Sequence, residues 1–413
     1  MALTRWRWPW AQGSPVSLVN ARVLTANGVA TSVRFDRDIL DIDAPPSPGD
    51  EVVDLEGAHV LPGLINGHDH LELNHYGLLK RRARYENASA WIDDLRPTLN
   101  DDPAIVRNRA HPLSARVFIG GLKNLLAGVT TVAHHNPVYR ECRRHVPVRV
   151  VEPFGWAHSF ALERQPVGAN GELGDDVRAR CRETPPEMPF VVHAAEGVDE
   201  AAAAELDRLA ASGCLRPNTV LVHGVALTPD RWASIAASGA SLVWCPASND
   251  FLFGRTAPLR DCLDRAPDHA RQIALGTDSR ITGARDLLDE MRLAVTSRVT
   301  AAEILRMVTE APARIFRLRS GGAIVRGAPA DLIVIPPLAP TAAGALLRAS
   351  RADLALVVVG GRPMVGSPAL AAAFSARGLT TVPIAIDGLV RLIERRLART
   401  MTACPIREPG IGS

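Results

Sequence analysis

Residues 190–244 read FVVHAAEGVDEAAAAELDRLAASGCLRPNTVLVHGVALTPDRWASIAASGASLVW, and the rhythm of this stretch decides the fold. Three apolar runs, 190–192, 220–222 and 241–244, alternate with two helix-like segments, 200–211 and 229–237. Runs that stay apolar over several residues suit strands covered on both faces, and helical crossovers between them make the sheet parallel. The same rhythm extends outward. Apolar runs at 60–65, 129–133 and 148–151 precede it and one at 273–275 follows, with helical patterns at 114–126, 284–296 and 301–310. Residues 60–316 therefore predict an α/β domain of the (β/α)8 TIM-like barrel type. Seven strands are distinct. The fourth repeat is expected between Trp156 and Pro189, where Gly, Pro and charge make the unit abbreviated or irregular.

The flanks have a different texture. Short β-rich runs at 16–23, 32–35 and 51–55 are punctuated by Asn27-Gly28 and by Pro45, Pro46 and Pro48; similar runs return at 322–324, 331–335 and 354–359. Neither set can close a core by itself, so the two are expected to pair into a small β-sandwich, residues 1–59 supplying one part and 317–385 the other. Residues 386–413 are read as a last helix and tail. Over 386–401, Leu389, Val390, Ile393 and Leu397 fall on one helical face and Arg391, Arg395, Arg396 and Arg399 on the other.

Composition excludes several classes of function. In 413 residues, 47 basic side chains nearly balance 44 acidic ones, leaving a net charge of +3 and no electrostatic case for nucleic acid or a membrane surface. No stretch reaches 18 uninterrupted apolar residues. The six cysteines form no C-x-x-C pair, which suits reduced thiols in a cytoplasm. The segment 1–10 combines Arg5 and Arg7 with Trp6, Trp8 and Trp10, has no apolar h-region behind it, and reads as a frayed tail.

Four pieces of sequence put histidine or carboxylate at the C-terminal end of an apolar run, where a barrel gathers its catalytic groups. The first run ends Asn66-Gly67-His68-Asp69-His70, and residues i and i+2 of a strand point the same way, so His68 and His70 can aim two imidazoles at one ion. The run at 190–192 leads into His193-Ala194-Ala195-Glu196, a third imidazole followed by a carboxylate able to shuttle protons. His223 closes the next run. Gly276-Thr277-Asp278 ends the last strand with a hard oxygen donor that completes a set of three His and one Asp.

Taken in order, Pro62 to His70, His193 to Glu196, His223, Trp244-Cys245-Pro246-Ala247-Ser248-Asn249 and Gly276-Thr277-Asp278 resemble the metal-dependent amidohydrolase superfamily, most closely its deaminase and chlorohydrolase branch of cytosine, guanine and triazine hydrolases. The segment 321–334 resembles that family's return into a sandwich built from both termini. The resemblance implies one divalent ion per chain, zinc or iron, on His68, His70, His193 and Asp278, with Glu196, His223 and Asp278 as catalytic groups. Branches that bridge two metals use a lysine on the fourth strand. This chain has only Lys80 and Lys123, and neither is expected there.

A divalent ion so held lowers the pKa of its water from 15.7 towards about 7 and supplies hydroxide at neutral pH. Glu196 is placed to take the water proton and hand it to a departing nitrogen, and His223 to polarise the carbon under attack. The expected reaction is cleavage of a C–N bond in a small nitrogen-containing, heterocyclic compound, with loss of ammonia. Hydrolysis of an amide or a carbon–chlorine bond on the same ligands is the alternative, and a non-catalytic metal-binding barrel the third reading. Candidate substrate contacts are Glu72 and Asn74 after the first strand, His135 after the second, Trp156 after the third and Asn249 after the seventh, with His75, His134, Asn136 and His158 nearby. Of the adjacent pair His134 and His135, at most one can face inward. Cys245 is read as a buried structural thiol. The partner is a small molecule, and a homodimer is compatible with the composition.

Overall fold

The computed structural model describes residues 12–163, 166–167, 172–173, 176–318 and 322–412. The Trp/Arg segment at 1–10, part of the fourth repeat, and Gly321 lie outside the described residues.

The barrel strands are β1 (Leu64–Asp69), β2 (Val129–His134), β3 (Arg149–Val150), β4 (Gly155–Ala157), β5 (Phe190–Ala194), β6 (Thr219–His223), β7 (Ser241–Trp244) and β8 (Ile273–Leu275). Every pairing among them is parallel. Side chains alternate as the pleat requires. Val191, Val220, Val222, Val243 and Ala274 fill the barrel, whose lower end is stopped by Ile315 and Phe316, whereas Phe190, Val192, Leu221, Leu242 and Leu275 pack outward against the helices. Each Val, Leu, Ile or Phe among them, once fully buried, contributes about 1.5–3 kcal/mol. The circle closes where β8 meets β1. Thr277 and Asp278 donate their amides to the carbonyl of His68, and a Cβ on Gly276 would stand 2.7 Å from that of His68, so only glycine allows this approach.

The irregularity expected in the fourth repeat takes a specific form. Only residues 151–154 separate β3 from β4, which run the same way, and a parallel neighbour needs a crossover of a dozen residues or more. The two are halves of one bent strand: β3 pairs with β2 and β4 pairs with β5. What is missing is the helix between the third and fourth positions. The fourth repeat keeps its own helix, Val177–Glu183.

Two boundaries differ from the sequence reading. The apolar run at 60–65 divides at Gly63, where a Cβ would meet Thr130 at 2.3 Å: His59–Pro62 belongs to the sandwich, and only Leu64–Asp69 enters the barrel. The last helix is shorter than its periodicity suggested. Thr381–Ile386 and Leu389–Glu394 form a hairpin whose two-residue turn, Asp387-Gly388, has φ of 48° and 86°, and the helix is Arg395–Ala403. Asp-Gly between β-prone runs favours this turn because its backbone twist matches that of the strands. The run at 389–393 fits a helical stripe and an alternating strand equally, and the hairpin pairing decided between them.

The two termini do pair. Leu332–Ile335 runs antiparallel to His59–Pro62 within a nine-stranded sheet that ends on Gly28–Ala30 at one edge and Ile411–Gly412 at the other. One face of it buries Val23, Val60, Leu332, Val334 and Val358 against Val16, Leu18 and Phe35 of a four-stranded sheet, and the other face packs Ile333, Ile335 and Val357 against the barrel.

Candidate metal centre

The imidazoles expected from the sequence meet at the C-terminal mouth of the barrel. His68 is the hub, with Nε2 3.3 Å from His193 Nε2 and 3.9 Å from Asp278 Oδ1, while His70 Nε2 lies 3.7 Å from the same oxygen. Donors 2.0–2.1 Å from a tetrahedral zinc stand about 3.3 Å apart, so these separations fit one cation with a small contraction. Donor atoms within 4.8 Å of one another form two triads that share His68: His68, His70 and Asp278, and His68, His135 and His193. Burial and the surrounding imidazoles hold His68 and His193 well below the usual histidine range, which keeps their rings neutral and their lone pairs available. The donor set therefore suits a single divalent ion of the zinc type.

Outer partners fix His193, His70 and Asp278. His193 donates from Nδ1 to the carbonyl of His158 at 2.8 Å, which leaves Nε2 for the ion. Nδ1 of His70 lies 3.2 Å from Asn136 Nδ2, which also donates to Glu72 Oε1 at 2.6 Å, while Asn136 Oδ1 accepts from His158 Nε2 at 3.1 Å. Asp278 accepts the hydroxyls of Ser248 and Thr282 on Oδ2, both at 2.8 Å, turning Oδ1 inward. Burial disfavours its charge, but the facing imidazoles and the Thr282 hydroxyl outweigh that and hold the carboxyl at about 2. Behind the centre, the fully buried Lys123 ammonium bonds Asp69, Asn74 Oδ1, Thr277 Oγ1 and the carbonyl of Asp278. It braces the donors from outside the barrel and is not on β4, in keeping with a one-ion site.

Three residues at the mouth have left-handed backbones: Ala195 (φ 54°), His223 (76°) and Asp278 (51°). Each conformation costs about 1–3 kcal/mol. Strict alternation would place His223 outside with Leu221, and the turn at φ 76° swings its ring in to stack on His193 at 5.3 Å. There His223 donates Nδ1–H to Asn249 Oδ1 at 2.9 Å and presents Nε2 to Glu196 Oε1 at 3.5 Å. Burial pushes Glu196 up to about 7, so its carboxyl can both accept and return a proton near neutrality. The Ala195 turn that aims it is pinned by its amide donating to Glu205 Oε2 at 2.9 Å.

The predicted substrate contacts divide. Asn74 has no free polar atom: its amide nitrogen bonds Asp69 and its oxygen accepts from Lys123. Asn249 orients His223 and donates to Thr256 Oγ1, so it is a positioning residue. Both were plausible because polar residues just past strand ends often face the ligand, but here tertiary partners consume them. Glu72 spends Oε1 on Asn136 and keeps Oε2 buried near His134. Trp156 stands edge-on to His135 and His158, at 5.7 and 5.1 Å. Of the adjacent pair, His135 faces the centre and His134 turns away to accept the amide of Leu71. Cys245 is fully buried and its thiol pushed up, as a structural residue requires. Ser248, Thr282 and Lys123 were not foreseen as parts of the site, because a serine or lysine in a helix and a threonine in a turn carry no local signal.

Residues 177–364, which contain His193, Glu196, His223 and Asp278, match the amidohydrolase family. The chain carries an amidohydrolase-family domain. A 5-methylthioadenosine/S-adenosylhomocysteine deaminase of Halobacterium salinarum is 28% identical over 75% of this chain and 80% of its own length. Its counterpart from Pyrococcus furiosus is 36% identical, but over only 30% of each chain. Among solved structures, an adenosine deaminase of Xanthomonas campestris with bound zinc superposes with a TM-score of 0.67 at 19% identity, covering 90% of this chain and 98% of that one. An atrazine chlorohydrolase of Arthrobacter aurescens complexed with zinc gives 0.67 at 17% identity, covering 88% and 100%. Both structural likenesses place this amidohydrolase domain in a TIM barrel with an attached β-sandwich.

Proposed function

We propose that this chain is a metal-dependent aminohydrolase that removes ammonia from the amino-substituted ring of a small, purine-nucleoside-like molecule. The observation that carries the reading is the pairing of a one-ion donor set with Glu196 and His223. A scaffold that merely held a metal would have no use for a part-buried carboxyl poised near 7 beside an oriented imidazole. The names of the relatives support the deaminase reading over amide or carbon–chlorine hydrolysis.

The ion, when bound, supplies Lewis acidity and a hydroxide equivalent at neutral pH. His68, His70, His193 and Asp278 hold it. Glu196 takes a proton on its carboxylate and returns it to the leaving nitrogen, so the amino group departs as ammonia rather than as an amide anion. His223, fixed by Asn249, faces the ring position under attack and stabilises charge developing there. Trp156 offers an aromatic edge to the substrate. Six free, buried cysteines suit a reducing cytoplasm, and among the described residues no helix is long and apolar enough to cross a membrane.

The test is a zinc-loaded preparation assayed for ammonia against 5-methylthioadenosine, S-adenosylhomocysteine, adenosine and a panel of aminopyrimidines and aminotriazines. Ammonia release with matching loss of the aminopurine absorbance supports the reading. Metal-replete protein that releases ammonia from none of them contradicts it.

A further inference from the structure

We infer that His135 is a further protein ligand of the bound ion, so that four imidazoles and one carboxylate surround it. The inference rests on the metal-centre reading above and extends its donor set. His135 follows β2 and is 1% exposed. It stacks on His193 at 4.3 Å with planes 8° apart and meets His68 edge-on at 5.1 Å. One donor nitrogen from each of these three rings lies within 4.8 Å of the others.

The hydrogen bonds assign the nitrogens. His135 donates Nε2–H to the carbonyl of Ala157, the last residue of β4, at 2.9 Å, and His193 donates Nδ1–H to the next carbonyl along the chain, that of His158. This is how metal-binding imidazoles are built, with one nitrogen anchored on a carbonyl and the other left as a lone pair. The remaining nitrogen, His135 Nδ1, is buried and has no hydrogen-bond partner. An orphaned buried acceptor is costly unless something occupies it, and a cation in the pocket does so.

The two triads cannot hold two ions together. His68 belongs to both, and its Nε2 has one lone pair, so the geometry points to one ion drawing donors from either side. Five protein donors favour ions that accept more than tetrahedral coordination, which widens the metals this centre can hold.

The test uses the full chain stripped of metal and titrated with zinc against a chromophoric chelator. Wild type is expected to bind one zinc, and His135→Ala to bind it about tenfold more weakly or worse. A crystal structure of the zinc-loaded wild type, which needs no variant to fold, is expected to place His135 Nδ1 about 2.1 Å from the metal. Unchanged zinc affinity in a folded His135→Ala, with only KM raised, would show a substrate contact and overturn the proposal while leaving the one-ion reading intact. A zinc-loaded structure with Nδ1 beyond 3 Å, about one and a half coordination distances, overturns it in the same way. Wild type that binds no zinc overturns both.

Discussion

Replacing Lys123 by Met would remove the positive end of a fully buried pair while keeping most of the stem's volume. The ammonium lies 3.3 Å from Asp69 Oδ2, 2.7 Å from Asn74 Oδ1 and 3.0 Å from Thr277 Oγ1. Removing one partner of a buried pair costs about 3–5 kcal/mol, because the remaining charge is left without compensation. Here Asp69 would keep the amides of Asn74 at 2.7 Å, Asn124 at 2.8 Å and Asn66 at 3.3 Å, which sets the expected loss at the lower end, about 3 kcal/mol. Urea denaturation followed by tryptophan fluorescence reads this as a fall in the midpoint at constant slope. Adding Asp69→Asn removes the stranded charge, so the double variant should lose less than the sum of the singles, by about 1–3 kcal/mol. A single-variant loss under about 1 kcal/mol, or strict additivity, would refute the claim that this pair braces the site.

Other consequences are open to direct measurement. With Glu196 raised to about 7 by burial and required as the base, kcat/KM should climb with pH below that value and level off above it; a profile flat from pH 5 to 8 removes Glu196 from the proton path. The same shift acts on stability in the opposite sense. The folded metal-free chain holds a proton on Glu196 that the unfolded chain releases near 4.5, so this group's stabilisation is complete below about 4.5 and is lost as pH rises through about 7. Asn249→Ala should leave zinc stoichiometry unchanged and lower kcat by about tenfold to a hundredfold, since His223 loses the partner of Nδ1; an unchanged kcat would separate Asn249 from His223.

The donor set was legible because chemistry that needs a strand end leaves its mark locally: an apolar run followed by histidine or aspartate says where the group sits and which way it can point. His68, His70, His193, Glu196, His223 and Asp278 all carried that mark. The merged third and fourth positions did not, because β3 and β4 span two and three residues, too few for a periodic pattern, and only their pairing shows that they form one bent strand. The left-handed turn at His223 was equally hidden, since alternation alone would have put the ring outside. The engagement of Asn74 and Asn249 by protein partners was hidden for a related reason. Whether a polar side chain serves a ligand or its neighbours depends on groups far away in sequence, here Lys123 and His223.

The most direct test of the account is paired metal and turnover analysis of the wild type, Glu196→Gln and His193→Ala. One zinc per chain is expected in the first two and loss of it in the third, with deamination falling by about a hundredfold or more in Glu196→Gln. Full turnover in Glu196→Gln, or zinc retained at wild-type affinity by His193→Ala, would contradict it.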